Sequence, residues 1–206
     1  MPITEDQVGL FKAQPGRPKV PWYSSLRLPN RFHTDPRASA EIMDAITLWV
    51  LGRIDEALPL GNRALASAQS AAHAPTMGQA LLYAALPGLV RRNPEAITTN
   101  SQALAEIVSR YDLPALWAGW VTFLQAWAKR SDSAEESGVA EMRRGLAICR
   151  EQGRNWLLPG LETALAEAEA SAGETDAGLR RLENALADLE ATEARWYEAE
   201  MHRIHS

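Results

Sequence analysis

The most constraining feature of the sequence is an internal repeat of small residues. In four successive segments, alanine or glycine occupies three positions, the second 12 after the first and the third 7 after the second. The twelve positions are Ala45, Ala57, Ala64, Ala84, Ala96, Ala103, Ala126, Gly138, Gly145, Ala166, Gly178 and Ala185. Small side chains allow helix axes to approach closely, and a regular period of this length is typical of repeat architectures. The repeat therefore predicts stacked pairs of helices.

Apolar residues follow the small positions in a regular way. A leucine comes directly after each third small position, at Leu65, Leu104, Leu146 and Leu186. An apolar residue comes directly after each second small position, at Leu58, Ile97, Val139 and Leu179. We expect both columns to fill the spaces between helix layers, because protein interiors are closely packed.

Local signals predict helices and no strands. From Asp35 onward the chain is rich in Ala, Leu, Glu and Arg, which favour helices, and it has no Asn-Gly or Asp-Gly hairpin turn. The expected boundaries are two N-caps followed by proline, a capping box and three turn glycines: Asp35-Pro36, Asn93-Pro94, Ser133-x-x-Glu136, Gly52, Gly153 and Gly173. The predicted helices are 36–51, 54–70, 75–90, 94–110, 114–129, 134–151, 156–171 and 176–190, with a ninth starting near 194.

The sequence divides into an arm and a repeat domain. Residues 1–34 are rich in proline and basic residues and have no helical period, so an irregular arm is predicted. The repeat domain follows at 35–206. Its repeats are predicted at about 35–73, 74–112, 113–154 and 155–193, with a partial fifth at 194–206. Trp196 in this fifth segment takes the place that Trp156 has in the fourth.

The repeat resembles the tetratricopeptide (TPR) pattern. Ala45 matches the small position of the first helix, Gly52 the turn glycine, and Ala57 and Ala64 the two small positions of the second helix, with "LWVLGRIDEAL" between the first two small positions. The period is longer than that of the standard TPR motif. The resemblance implies an all-α fold, a TPR-like α-solenoid that forms a right-handed superhelix of antiparallel helix pairs.

Residues 35–205 also resemble the C-terminal region of large bacterial multidomain proteins. In those proteins a class III adenylate/guanylate cyclase or DNA-binding domain and a STAND-type (MalT-like) ATPase precede TPR-like repeats, and "RWYEAEMHR" carries the likeness here. This chain has no cyclase domain, no G-x-x-x-x-G-K-[ST] phosphate loop and no DNA-reading helix pair. The resemblance therefore implies a regulatory region and no enzyme activity.

Composition sets the expected environment. The chain has 206 residues, a net charge of −5 and one cysteine. A weakly acidic chain argues against nucleic-acid binding, and a single cysteine fits a reducing compartment. The longest mainly apolar run, residues 113–128, is shorter than the roughly 20 residues that a membrane-spanning helix needs. We expect a cytoplasmic protein without a membrane or nucleic-acid partner.

Histidines offer the first candidate for chemistry. Glu198, His202 and His205 lie at i, i+4 and i+7, on roughly one helix face, and could supply three metal ligands. We interpret them as ordinary exposed positions, since no fourth ligand is apparent. His33 and His73 are isolated in predicted loops and are expected to be solvated. No metal and no cofactor are predicted.

The remaining reactive side chains also receive structural interpretations. Cys149 has no histidine nearby in sequence and is predicted to be a buried thiol. The carboxylates Glu167, Glu169, Glu183 and Glu190 are expected to be solvated charges on helix surfaces. No catalytic residue is predicted.

Aromatic residues suggest a binding surface. Because the first helices of TPR pairs line the concave face, the resemblance places five residues in the groove: Trp49, Trp120, Phe123, Trp127 and Arg130. Three interpretations of these rings remain open. They form the core, they are covered by the arm with its Phe11, Trp22 and Tyr23, or they bind a partner.

The expected function is a non-catalytic TPR-like scaffold that binds a protein or peptide partner, or senses a ligand, in its concave groove. One alternative is a homodimer formed through the C-terminal edge, where an apolar face lacks its next helix. The other is a truncated remnant of a larger cyclase- or ATPase-type regulator.

Overall fold

The computed structural model describes residues 34–130, 136–151, 157–192 and 195–205. Within these ranges the chain forms nine α-helices and a short 3-10 helix, with no strand, so the all-α prediction is confirmed. The α-helices are α1 Pro36–Val50, α2 Ile54–Ala71, α3 Ala74–Val90, α4 Pro94–Tyr111, α5 Ala115–Arg130, α6 Glu136–Glu151, α7 Leu158–Ser171, α8 Thr175–Thr192 and α9 Glu198–His205. The 3-10 helix is Arg195–Tyr197 and directly precedes α9.

Capping residues place the helix starts where the sequence predicts them. The side chain of Asp35 accepts a hydrogen bond from the Ala38 amide, and that of Asn93 accepts one from the Ala96 amide, each at 3.0 Å. Gly52 and Gly173 end helices with φ of 75° and 87°, a region that favours glycine. Ser133 of the predicted capping box and the turn at Gly153 lie outside the residues described.

The described residues form two compact units, one up to Ala84 and the other from Ala85 onward. In the first unit α1 packs against α2, and Ala38, Ile42 and Ala64 are buried in its core. Two hydrogen bonds tie the start of α1 to the first turns of α3. The Asp35 amide donates to Thr76 Oγ1 at 2.7 Å, and Ser39 Oγ donates to Gln79 Oε1 at 3.0 Å.

In the second unit, α5 packs against α6 and α7 packs against α8. Helix α7 is central, because it also contacts α5, α6 and α9. Its buried residues include Leu161 and Leu165, which are fully enclosed. Helix α9 buries Met201 and contacts both α7 and α8.

The small repeat positions lie at helix crossings in the second unit. None of the twelve is exposed. A Cβ at Gly145 would stand 2.7 Å from the Phe123 amide nitrogen, and one at Gly178 would stand 2.6 Å from the Ala166 carbonyl oxygen. These distances are too short for a methyl group, so α6 meets α5, and α8 meets α7, with backbone nearly touching backbone.

The apolar columns agree with the prediction only in part. Ile97 and Val139 are buried, as are Leu104 and Leu146. Leu58 is 48% exposed and Leu179 is 37% exposed, so the prediction that they fill interlayer space is wrong. Leu179 lies on the solvent side of α8, where its neighbours one turn away, Asp176 and Glu183, are also exposed. Leu58 lies on α2 in the first unit.

Candidate functional site

The predicted groove aromatics are mainly core residues. Trp120, Phe123 and Trp127 share α5, and their side chains are 1%, 0% and 3% exposed. They do not form an exposed aromatic patch, because the glycine contact between α5 and α6 brings the two helices together around them. Trp49 lies on α1 in the first unit and is partly exposed. The interpretation in which the arm covers these rings concerns residues outside the described part of the chain.

The C-terminal end of α5 carries two unsatisfied donors. Trp127 Nε1 and Arg130 Nε are both buried, and neither has a hydrogen-bond partner in the described structure. The two residues are three apart on one helix and therefore share a face. A buried donor without an acceptor costs about 1–3 kcal/mol, so each of these is a position where an incoming acceptor would be favoured.

The electrostatic setting of Arg130 is unusual for a guanidinium. Burial lowers the pKa of Arg130, and the negative charge of Glu167 on α7 opposes this effect. No salt bridge joins Arg130 to a described carboxylate. The guanidinium is therefore partly desolvated. Its positive charge interacts with Glu167 without forming an ion pair.

Ion pairs link Glu167, the carboxylate whose charge acts on Arg130, to α9. Glu167 accepts hydrogen bonds from Arg92 at 2.6 and 3.1 Å, and Glu200 on α9 accepts two from Arg203 at 2.7 Å. Arg92 also lies 3.9 Å from Glu200. Burial, followed by the charges of Glu200 and Glu167, raises the pKa of the Tyr197 hydroxyl. We call this set the α5–α7–α9 face: Arg92, Trp127, Arg130, Glu167, Tyr197, Glu200 and Arg203.

A second network lies on the other side of α7, against α6 and α8. Glu169 is fully buried and accepts hydrogen bonds from Arg181 Nε and Nη2, each at 2.8 Å, and from Arg143 Nε at 2.9 Å. Glu162, also buried, accepts from Arg181 Nη1 at 2.9 Å and pairs with Arg150. The expectation that Glu169 is a solvated surface charge is therefore wrong.

The ionisation of Glu169 follows from these partners. Burial alone would raise the pKa of the Glu169 carboxyl, but hydrogen bonds and charge from Arg181 and Arg143 outweigh it and hold this pKa below its ordinary value. Burial alone would lower the pKa of Arg181, but hydrogen bonds and charge from Glu169 and Glu162 outweigh it and raise this pKa. The carboxylate is thus a fixed charge that joins three helices and is not suited to proton transfer.

The other candidates for chemistry have structural surroundings. Cys149 is fully buried, which raises the pKa of its thiol to about 12, and the prediction of a buried thiol is confirmed. His73 is partly buried, and its Nδ1 lies 2.9 Å from Thr76 Oγ1, so the expectation of a solvated ring is wrong. Its position just before α3 lets it bond to the first turn. Burial lowers the pKa of His73, and Asp35 opposes this shift.

The C-terminal histidines remain apart from any built site. His202 and His205 are exposed on α9, and Glu198 on the same helix is partly exposed and paired with Arg195. Among the residues that the structure describes, no group of three histidine, cysteine or carboxylate side chains is placed to hold a metal ion. His33 lies outside the described ranges.

Comparison with known proteins gives one limited likeness. The chain is 26% identical over 162 residues to an uncharacterized protein of Rhizobium meliloti (strain 1021), and the match covers 79% of this chain and 16% of that relative. No family model matches the chain, and no solved structure matches it significantly. In the described residues, no helix combines the length and apolar character that crossing a membrane requires.

Proposed function

We propose that the chain is a non-catalytic, TPR-like helical scaffold that binds a peptide segment of a protein partner at the α5–α7–α9 face. The observation that carries the proposal is the pair of buried donors without acceptors, Trp127 Nε1 and Arg130 Nε. Both are donors only, so the ligand must supply acceptors. A peptide offers main-chain carbonyl groups and, where it is acidic, side-chain carboxylates.

Charge on this face favours an acidic segment. Three arginines, Arg92, Arg130 and Arg203, stand against two glutamates, Glu167 and Glu200, which leaves an excess of one positive charge. Arg92 and Arg203 already have carboxylate partners, whereas Arg130 has none among the described residues. A peptide carboxylate would pair with Arg130 in a charge-assisted hydrogen bond.

The proposed sequence of contacts starts at Arg130, since this residue is partly exposed whereas Trp127 is buried. In the proposal the guanidinium turns outward to meet a carboxylate, and the peptide then reaches Trp127, one turn earlier on α5. A neighbouring peptide carbonyl then accepts from the indole Nε1. Binding thus gives hydrogen-bond acceptors to two N–H groups. Because both groups are already buried in the free protein, the ligand need not remove water from them.

The relative supports a place for such a scaffold in longer proteins. The matched segment makes up only 16% of the relative, so that protein is several times longer than this chain. In a chain of that size, a repeat region would serve as an internal docking surface beside other domains. We propose this arrangement without assigning those domains an activity.

The test uses peptides selected for binding. A random-sequence display library is panned against the purified chain, and affinities of enriched peptides are measured by fluorescence anisotropy. We expect the enriched peptides to contain Asp or Glu, and we expect Arg130→Ala to weaken binding about tenfold or more. Trp127→Phe keeps a ring and removes the Nε1 donor, so it should weaken binding about fivefold.

Two controls make the test specific. Lys129→Ala removes an exposed cation next to Arg130 and should leave the affinity within about twofold. Thermal melting of Trp127→Phe checks that the fold is kept. Enrichment of no peptide, or equal loss of affinity in Arg130→Ala and Lys129→Ala, would contradict the proposal.

A further inference from the structure

A pocket on the opposite side of α7 points to a second ligand. It has a volume of about 290 Å³ and is lined by residues of α6 and α8. The lining residues are Arg150, Ala177, Arg180, Arg181 and Asn184. Three of the five are arginines, and no carboxylate belongs to the lining described. The pocket shares no residue with the α5–α7–α9 face.

Buried carboxylates behind the pocket hold two of the arginines in place. Arg181 donates three hydrogen bonds to Glu162 and Glu169, and Arg150 pairs with Glu162. A guanidinium has five N–H groups, so two N–H groups of Arg181 are not used by these carboxylates. Anchored arginines lose little conformational freedom when a ligand arrives, and this preorganisation favours binding.

Arg180 differs from the other two arginines. It is exposed at the pocket edge and has no hydrogen-bond or ion-pair partner in the described part of the chain. Of the three arginines that line the pocket, Arg150 and Arg181 are paired with buried glutamates, whereas Arg180 is available to a ligand.

We propose that this pocket binds the phosphate monoester group of a small ligand. A phosphate carries nearly two negative charges at neutral pH and has three terminal oxygens, which match several guanidinium donors. The Asn184 amide adds a neutral donor at the same pocket. A volume of about 290 Å³ lies at the lower end of the range for small-molecule sites, so the ligand is little larger than the phosphate group and a few carbon atoms.

Isothermal titration calorimetry at low ionic strength tests this proposal. Glycerol 3-phosphate is the probe and glycerol is the uncharged control. We expect saturable binding of one glycerol 3-phosphate per chain and no binding of glycerol. Arg180→Ala should weaken the affinity about tenfold, because one charge-assisted contact is lost. Its exposed position means that the fold should survive, which thermal melting checks.

A matched variant separates a built site from general attraction to arginine. Arg144→Ala removes an exposed arginine from α6, on the same helix as Arg150 but outside the pocket, and should leave the affinity unchanged. Absence of saturable binding, or equal weakening by Arg144→Ala and Arg180→Ala, overturns the proposal. A peptide that contains phosphoserine provides the last arm. Binding of that peptide without binding of glycerol 3-phosphate overturns the assignment to a small ligand.

Discussion

At the scale of single residues, Glu169 is the most informative position. It is fully buried, yet it remains a carboxylate because Arg181 and Arg143 surround it. Removing one member of a buried ion pair leaves the remaining charges without a partner in a poorly solvated place. Such changes usually cost more stability than the intact pair contributes.

We therefore expect Glu169→Gln to lower the free energy of unfolding at pH 7 by about 3 kcal/mol. The pKa of the Glu169 carboxyl is lowered in the folded protein, so its stabilisation is present above the ordinary glutamate pKa and is lost as pH falls through the folded value. The stability difference between wild type and variant should consequently shrink on acidification below about pH 4. Urea unfolding at several pH values measures it.

The control for this prediction is Glu183→Gln, which changes an exposed carboxylate on α8. It should alter stability by less than about 0.5 kcal/mol at every pH. A Glu169→Gln variant as stable as Glu183→Gln at pH 7 would mean that the buried network contributes nothing.

The sequence held a signal for this network that composition alone does not reveal. Arg143 and Arg150 are seven residues apart on α6, and Glu162 and Glu169 are seven apart on α7. In antiparallel helices these spacings pair Arg143 with Glu169 and Arg150 with Glu162, as the structure has them. A charged residue judged singly is usually on the surface, and only the register between two helices shows otherwise.

At the scale of helices, close backbone crossings are the main structural requirement. Gly145 leaves no room for a methyl group, since the nearest atoms belong to the backbone of α5. At Gly138, on the same helix, the nearest atom to a new Cβ would be Arg130 Cβ at 3.6 Å, an ordinary contact. The two glycines occupy successive positions of the repeat but differ in the space around them.

This contrast predicts opposite effects of the same substitution. Gly145→Ala should destabilise the protein by about 1–3 kcal/mol, because the backbones of α5 and α6 must separate. Gly138→Ala should be neutral or stabilise by up to about 1 kcal/mol, because alanine is the better helix former. Chemical denaturation of the two variants measures both values. Equal stabilities would mean that the α5–α6 crossing does not depend on a small residue.

Helix positions could be predicted well because their signals are local. Caps such as Asp35 and Asn93 bond to an amide three residues further on. For the first eight helices, each predicted end that belongs to the described residues lies within two residues of the observed end. Side-chain burial was harder to predict, because it depends on neighbours distant in sequence. Leu179 has the same repeat position as Val139, but it lies on the solvent side of α8, where Asp176 and Glu183, one turn away, are also exposed.

At the scale of the molecule, the repeat pattern predicted paired helices but did not decide the surroundings of the aromatic residues. The register of the TPR pattern placed Trp120, Phe123 and Trp127 in an open groove, whereas the structure buries them. Among the predicted groove residues of the second unit, Arg130 is partly exposed and the others are buried. Arg130 also lacks an ion pair with any described carboxylate. The sequence could not reveal that Arg130 and Trp127 have donors without acceptors. Whether a donor finds an acceptor depends on residues that are close in space but distant in sequence.

The most direct test of the proposed scaffold is hydrogen exchange measured by mass spectrometry, with and without an enriched acidic peptide. We predict slower exchange on binding in α9 and in the facing parts of α5 and α7, around Arg130 and Glu167. Exchange in α8 around Arg180 and Asn184 should stay unchanged. Slower exchange confined to α1 and α2, or no change anywhere, would contradict binding at the α5–α7–α9 face.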